Sequence, residues 1–246
     1  MKTAHWPLLW TFILFIPPIY YLYLYSYSYS AMASTEFKNP ATTTLLELVK
    51  SRRTYYDLKA ESPISDDAID RIVQDSVLHV PSSFNTQTSR IVLLLKEEHK
   101  KVWDITIKVM EGLVSAGQVT KEMFENSTKP KLESFRAAYG TVLFFVDYES
   151  LDPIKQQFAI YADKFDPFAL ESNAMSQYFV WLALESEGFG ANLQHYTPLI
   201  DEDVRKTWNL PESWKLDAQL VFGVPNSQPG EKLFAPIEGR YKVFGK

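Results

Sequence analysis

The chain has no cysteine, which excludes disulfides, thiolate catalysis and cysteine-ligated zinc together and leaves the compartment open. Histidine is scarce. Only His5, His79, His99 and His195 occur, without HExxH or paired spacing, and this argues against a metal site. An excess of cations is also missing: 25 Lys and Arg stand against 30 Asp and Glu, a net charge of −5, so no overall basic field recruits nucleic acid. Nine Gly and fourteen Pro in 246 residues are too few for a fibrous or low-complexity protein. There is no Walker A loop, no GxSxG elbow and no nucleophile with a base close in sequence. The carboxylates are scattered, with no pair standing out as an acid/base dyad. An enzyme of this composition would borrow its chemistry from a cofactor.

The hydrophobic content of 46%, with 15% aromatic residues, is ample for one sizeable globular domain. The N-terminus is anomalous, because Thr3 to Thr35 contains no charged side chain. Its segment "WPLLWTFILFIPPIYYLYLY" (6–25) has about the ~20 residues that span a bilayer. A signal anchor would put Pro17 and Pro18 in mid-span, where a helix tolerates them only with help. A cleaved signal peptide lacks a small-residue cleavage site unless "YSAMA" serves. Translation from Met32 would leave "MASTEF" as a plain soluble start. That third reading is favoured, because the rest of the chain needs no membrane. It implies a cytoplasmic protein, with the nucleus as a second compartment; anchoring through residues 6–25 is the alternative.

The pattern divides the chain into a hydrophobic leader (1–31), a linker (32–43) and one domain (44–246). "TLLELVK" (44–50) predicts a short amphipathic helix, with Leu45, Leu48 and Val49 on one face and Thr42–Thr44 as candidate caps. A helix begins at Ser65 with acids in its first turn. The strand "RIVLLLK" follows, then helical sequence from Glu97 and further helices through 119–137. "GTVLFFVDY" (140–148) reads as a buried strand. The longest helical signal runs through "PFALESNAMSQYFVWLALES", with Ala174, Met175, Tyr178, Phe179 and Leu182 as one stripe, and Gly188 and Gly190 end it. A helix "DEDVRKTW", a strand "KLDAQLVFGV" and a basic tail complete an α+β domain, a mixed sheet wrapped by helices.

Four stretches could carry chemistry. "SRRTYYDL" (51–58) offers Arg52, Arg53 and Thr54, a set suited to a phosphate; alternatively the arginines complement the dipole of the preceding helix. "PSSFNTQTSR" (81–90) carries seven uncharged polar side chains in ten. That is more than a turn requires, and a ribityl chain or a heteroaromatic edge would use them. "EGFGANLQHY" (187–196) has two glycines that let a backbone approach something flat, or that simply stop a helix. The tail "PGEKLFAPIEGRYKVFGK" (229–246) carries Lys232, Arg240, Lys242 and Lys246, either a solvated face or the completion of a phosphate grip.

In this order the stretches "SRRTYY", "PSSFNTQTSR", "AYGTVLFF", "GANLQHY" and "PIEGRYKVFGK" resemble the flavin-dependent nitroreductase family, in its fungal and bacterial branch of small enzymes, over roughly residues 45–246. The resemblance implies FMN bound at the interface of a homodimer, with the long helix buried between subunits. Arg52, Arg53 and Thr54 would hold the phosphate and flavin edge. Ser82, Ser83, Asn85 and Gln87 would reach the same cofactor from the partner. The backbone at Leu193, Gln194 and His195 would face the ring, and Lys232, with Arg240 as a second candidate, would bind phosphate. The implied activity is hydride transfer from NADH or NADPH through FMN to nitroaromatic, quinone or other electrophilic acceptors, in stress defence. No catalytic side chain is expected, only cofactor ligands. A flavin-binding regulatory or sensor protein with little turnover is the rival reading. Two departures stand out: Tyr55 and Tyr56 occupy a place where many members carry another basic residue, and no Asn/Lys pair for the flavin's pyrimidine edge is evident.

Overall fold

The computed structural model describes residues 37–246. The leader and the start of the linker lie outside these residues. Among the described residues no helix is long and apolar enough to cross a membrane. The chain divides into two units at Glu47 and Leu48. Helix α1 (Pro40–Ser51) crosses that boundary and starts earlier than its apolar stripe predicts. Asn39 is the reason: its side chain accepts the Ala41 N–H at 2.9 Å, and Pro40 is pre-organised for a first turn. Thr42–Thr44 therefore lie inside the helix.

The second unit follows as β1 (Leu58–Lys59), α2 (Asp66–His79), β2 (Ser89–Leu95), α3 (Lys96–Ser115), α4 (Lys129–Arg136), β3 (Gly140–Asp147), α5 (Asp152–Gln157), α6 (Phe165–Ser186), β4 (Gly190–Gln194), α7 (Asp201–Thr207) and β5 (Trp214–Pro225). Ser65 caps α2 by accepting the Ala68 N–H at 3.2 Å, and Asp66 and Asp67 suit the positive end of its dipole.

Strand β5 organises the sheet. It pairs with β3 along one edge, and β2 pairs with β3 beyond it. Its other edge is shared: β4 takes Gln219–Gly223 and β1 takes Val224–Pro225. All these ladders are antiparallel. The parallel component of the sheet among the described residues is a single bridge, Thr54 to Ala191.

Both faces of β3 are buried, which is why it reads as an unbroken apolar run. Val142 and Phe144 meet Ile69 and Val73 of α2 and Val180 and Leu184 of α6. Leu143 and Phe145 meet Val102 and Trp103 of α3 and Leu132 and Phe135 of α4.

Helix α6 turns one face toward the sheet and leaves part of its apolar stripe outside. Ala169, Ser172, Asn173, Ser176, Gln177, Val180 and Leu184 are buried, while Met175 and Tyr178 remain 44% and 41% exposed. Asp217 on β5 supplies a physical reason. Its carboxylate accepts from Asn173 Nδ2 at 3.1 Å and Gln177 Nε2 at 2.7 Å, so the polar edge of the helix faces the sheet. The apolar stripe through Met175 and Tyr178 is left on the outside.

Buried His99 lies between α3 and β3. Trp103 Nε1 donates to Thr141 Oγ1 at 3.0 Å, and Thr141 Oγ1 lies 2.8 Å from His99 Nδ1. Thr141 thereby joins the indole and the imidazole in one buried hydrogen-bonded cluster. Burial lowers the His99 pKa to about 4, overcoming the nearby Arg136 and Phe135 carbonyls that favour the charged form. The folded state thus binds fewer protons than the unfolded one. This contribution is complete above the unfolded value of 6.5 and is lost as pH falls toward 4. Urea unfolding at pH 7 and at pH 5 is expected to show a loss on the order of 2 kcal/mol from this residue, and His99→Gln should flatten that part of the profile.

Candidate functional site

The arginine-bearing loop owes its place to the shared edge of β5. After α1 the chain must reach β1, and β4 already occupies the intervening edge. Residues 52–57 therefore run along β4. The Tyr55 N–H donates to the Ala191 carbonyl at 3.0 Å, and Asn192 Nδ2 donates to the Tyr55 carbonyl at 2.7 Å. Gln194 Nε2 donates to Asn192 Oδ1 at 2.9 Å, so its buried side chain braces the strand. At the other end of the loop, the Arg53 N–H donates to Glu185 Oε2 at 2.9 Å.

Of the two glycines, Gly188 ends α6 with φ +92°, a left-handed conformation that suits glycine. Gly190 permits a close approach, and the flat group that approaches belongs to the chain itself. A Cβ at Gly190 would lie 2.7 Å from Tyr55 Cγ and 2.9 Å from Pro225 Cγ.

These elements open a cleft of about 450 Å³ lined by Arg52, Arg53, Thr54, Tyr55, Gly230 and Lys232, among others. Of its acids, Asp57 is engaged by Asn226 Nδ2 at 3.1 and 3.2 Å. The Arg52 guanidinium lies over Trp181, 4.6 Å from the ring centroid, and its Nη1 is buried without a partner among the described residues. Arg53 Nη2 donates to the Gly230 carbonyl, which ties the start of the tail to the loop. The Glu185 carboxyl also accepts Trp181 Nε1 at 2.6 Å. Burial raises its pKa, against the Arg53 amide, the indole and the two arginine charges, which favour the carboxylate.

The polar loop lies elsewhere on the chain. Ser82 and Gln87 line a second cavity of about 380 Å³ with Ser76, Ser176, Arg90 and Trp214. Ser82 Oγ accepts the Gln87 N–H at 2.9 Å, and the Ser83 N–H reaches Ser172 Oγ at 3.4 Å. Phe84, Asn85 and Gln87 all have φ near +50°, uncommon for residues with side chains and most tolerable for Asn. Arg90 anchors the loop by donating to the Gln87 carbonyl at 2.6 Å and to Asp147 at 2.9 Å.

The structure thus brings Lys232 to Arg52, Arg53 and Thr54, and sets Ser82 and Gln87 against another cavity, with Ser83 and Asn85 on the same loop. Leu193 is half-buried and His195 exposed, at and just beyond the end of β4. Arg240 donates to the Ala235 and Pro236 carbonyls within the tail's own turn, and it does not line the cleft. Sequence reasoning passed over Trp181, Glu185 and Asn192. Glu185 did carry a signal: an acid in the last turn of a helix opposes the dipole and calls for a specific partner.

Residues 49–224 match the family model described as the nitroreductase family. The chain belongs to the nitroreductase family. It is 38% identical to putative nitroreductase HBN1 of Saccharomyces cerevisiae over 83% of this chain and 98% of that one. It is 34% identical to nitroreductase FRM2 of the same yeast, over 78% and 94%. Among solved structures, nitroreductase CinD from Lactococcus lactis in complex with chloramphenicol is 37% identical, with a TM-score of 0.72 over 82% of this chain and all of that one. CinD is also known in complex with 4-nitrophenol and with nicotinic acid. As a nitroreductase the chain is a flavin-dependent oxidoreductase of α+β fold.

Gly190→Ala in this nitroreductase should force Tyr55 and Pro225 away from β4, costing about 1–3 kcal/mol. Chemical denaturation measures the loss. A stability within error of the original would show that the loop yields freely.

Proposed function

We propose that the chain binds FMN and passes hydride from NADH or NADPH to a flat electrophilic acceptor, nitroaromatic or quinone. The carrying observation is the buried, unpartnered Nη1 of Arg52 in a cleft that also presents Arg53, Thr54 and Lys232. Three cations and a hydroxyl around one cavity suit a phosphomonoester, since guanidinium forks pair with its oxygens bidentately and Lys232 adds a point charge. These residues fit the phosphate end of FMN. Bound there, FMN would supply a two-electron centre able to take hydride from a nicotinamide and deliver it to an acceptor.

The chain's own groups bind and orient. Arg52, Arg53, Thr54 and Lys232 hold the phosphate, and Arg240 is the second cation that the tail could bring. The backbone at Leu193, Gln194 and His195 would face the ring. Ser82, Ser83, Asn85 and Gln87 give uncharged hydrogen bonds, which orient a ribityl chain or ring edge without adding charge beside it. Because the two groups line separate cavities of one chain, a site using both is completed by a second copy. The homodimer is supported by the apolar surface left outside: Met175 and Tyr178 on α6, and Leu78 on α2 at 70% exposure. The complex of CinD with 4-nitrophenol supports a flat aromatic acceptor. The domain of action is residues 44–246, in the cytoplasm, extending to the nucleus, if translation starts at Met32.

The test is the visible spectrum of the purified protein, before and after anaerobic NADH and then NADPH. A yellow protein that bleaches with one donor and then turns over nitroaromatics or quinones with parallel-line initial-rate plots is expected. A yellow protein that neither donor bleaches would favour the sensor reading. A folded, colourless protein that takes up no FMN would overturn the cleft assignment. Arg52→Ala should weaken FMN binding by at least about tenfold, and Ser83→Ala or Asn85→Ala should also speed flavin loss. Light scattering should find a dimer, and Met175→Glu with Tyr178→Glu should shift it toward monomer.

A further inference from the structure

Near the C-terminal end of α6, Trp181 within the apolar run and Glu185 just after it lie one helical turn apart. Together they form a small built structure beneath the arginine loop. Glu185 uses Oε1 to accept the Trp181 indole N–H at 2.6 Å and Oε2 to accept the Arg53 backbone N–H at 2.9 Å. Both oxygens are therefore taken by N–H groups outside the guanidinium forks. An acid beside two arginines would ordinarily pair with one of them and compete with any incoming anion. Here the indole and the backbone amide occupy it first. The Arg52 guanidinium lies instead on the Trp181 ring, 4.6 Å from its centroid, with Nη1 buried and unpartnered. A planar cation on an aromatic face is held in orientation while its in-plane N–H groups remain available.

We propose that Trp181 and Glu185 are positioning residues: they hold the arginine loop so that its guanidinium groups face a phosphomonoester, and thereby make the site select FMN over riboflavin. This rests on the FMN reading of the cleft. Neither residue is assigned contact with the cofactor. Glu185 acts by fixing the Arg53 backbone and the ring orientation of Trp181, and Trp181 acts by supporting Arg52.

The two possible roles of Glu185 differ in sign. If its charge chiefly offsets the arginines, removing it strengthens their pull on an anion, and FMN binds more tightly. If it positions them, removing it frees the loop and leaves the indole N–H without its acceptor, and FMN binds less tightly. Riboflavin, which shares the ring and ribityl chain but lacks the phosphate, separates positioning from general loosening of the fold.

The experiment measures dissociation constants of FMN and riboflavin for the full chain stripped of flavin, by quenching of flavin fluorescence. Wild type is compared with Glu185→Ala, Glu185→Gln and Trp181→Phe. The last two are the milder changes and protect the test if the alanine variant fails to fold. Glu185→Ala is expected to weaken FMN about tenfold and to change riboflavin by less than about twofold. Glu185→Gln, which keeps one carbonyl acceptor, should fall between. Trp181→Phe keeps a ring face but no indole N–H, and should also lower the preference for FMN. Equal losses for both flavins would reveal a merely structural role and overturn the proposal, as would tighter FMN binding or an unchanged preference in all three variants. A wild-type chain that binds FMN no better than riboflavin would overturn the phosphate grip itself, and the positioning role with it.

Discussion

The rest of the structure depends on the shared edge of one strand. β5 is paired with β3 from Trp214 to Phe222 on one side, and on the other β4 and β1 share Gln219 to Pro225. A buried strand edge must have its N–H and C=O groups satisfied, so neither β1 nor β4 can be omitted. The order of the chain then leaves little choice. The segment between α1 and β1 has to pass alongside β4, and it does so through one parallel bridge and the Asn192 side chain. Arg52 and Arg53 lie beside β4 because sheet pairing requires the chain to travel there. Sheet topology thus supplies the coarse position of the cationic cleft, and Glu185 and Trp181 supply its fine orientation.

Close approach is the second constraint. Tyr55 can lie over β4 only because position 190 has no Cβ. A bulkier residue at Gly190 would therefore act on the cleft through the backbone of its neighbours. Of the two glycines, Gly188 thus ends a helix and Gly190 makes room for a side chain of the same molecule.

The elements with strong periodicity were legible. The fully buried run of β3, the serine cap of α2 and the length of α6 all follow from local chemistry that the sequence displays directly. The face of α6 was not legible, because amphipathicity reports which residues are apolar and not what stands opposite them. Asp217, 44 and 40 residues from Asn173 and Gln177, accepts from both and so sets which face of the helix meets the sheet. Asn39 moved the start of α1 because a cap outweighs an apolar stripe in deciding where a helix begins. In the site, Arg52, Arg53, Thr54 and Lys232, read from the sequence as a set suited to phosphate, line one cleft. Of the residues beneath them, Trp181 looks like an ordinary member of an apolar helix until the arginine loop is laid against it, and Glu185 is marked only by being an acid in the last helical turn.

The polar loop shows how a site can be prepared by strain. Phe84, Asn85 and Gln87 hold left-handed backbone, and such conformations cost on the order of 1–3 kcal/mol each when the residue is not glycine. A simple connection between α2 and β2 would have avoided them. Here Arg90 pulls the Gln87 carbonyl and Asp147 together, and the Phe84 ring packs against Phe158 and Phe165 at centroid distances of 5.4 Å. These contacts over-determine the loop, which is the condition under which strain persists. The conformation that results uses Ser82 to bond the loop internally and leaves Asn85 and Gln87 exposed, as uncharged donors and acceptors with few partners in their own chain. A hydrogen-bonding surface held rigid in advance loses little entropy when it meets a ligand. On the proposed reading, that surface would meet the flavin held by the arginine loop of a second copy.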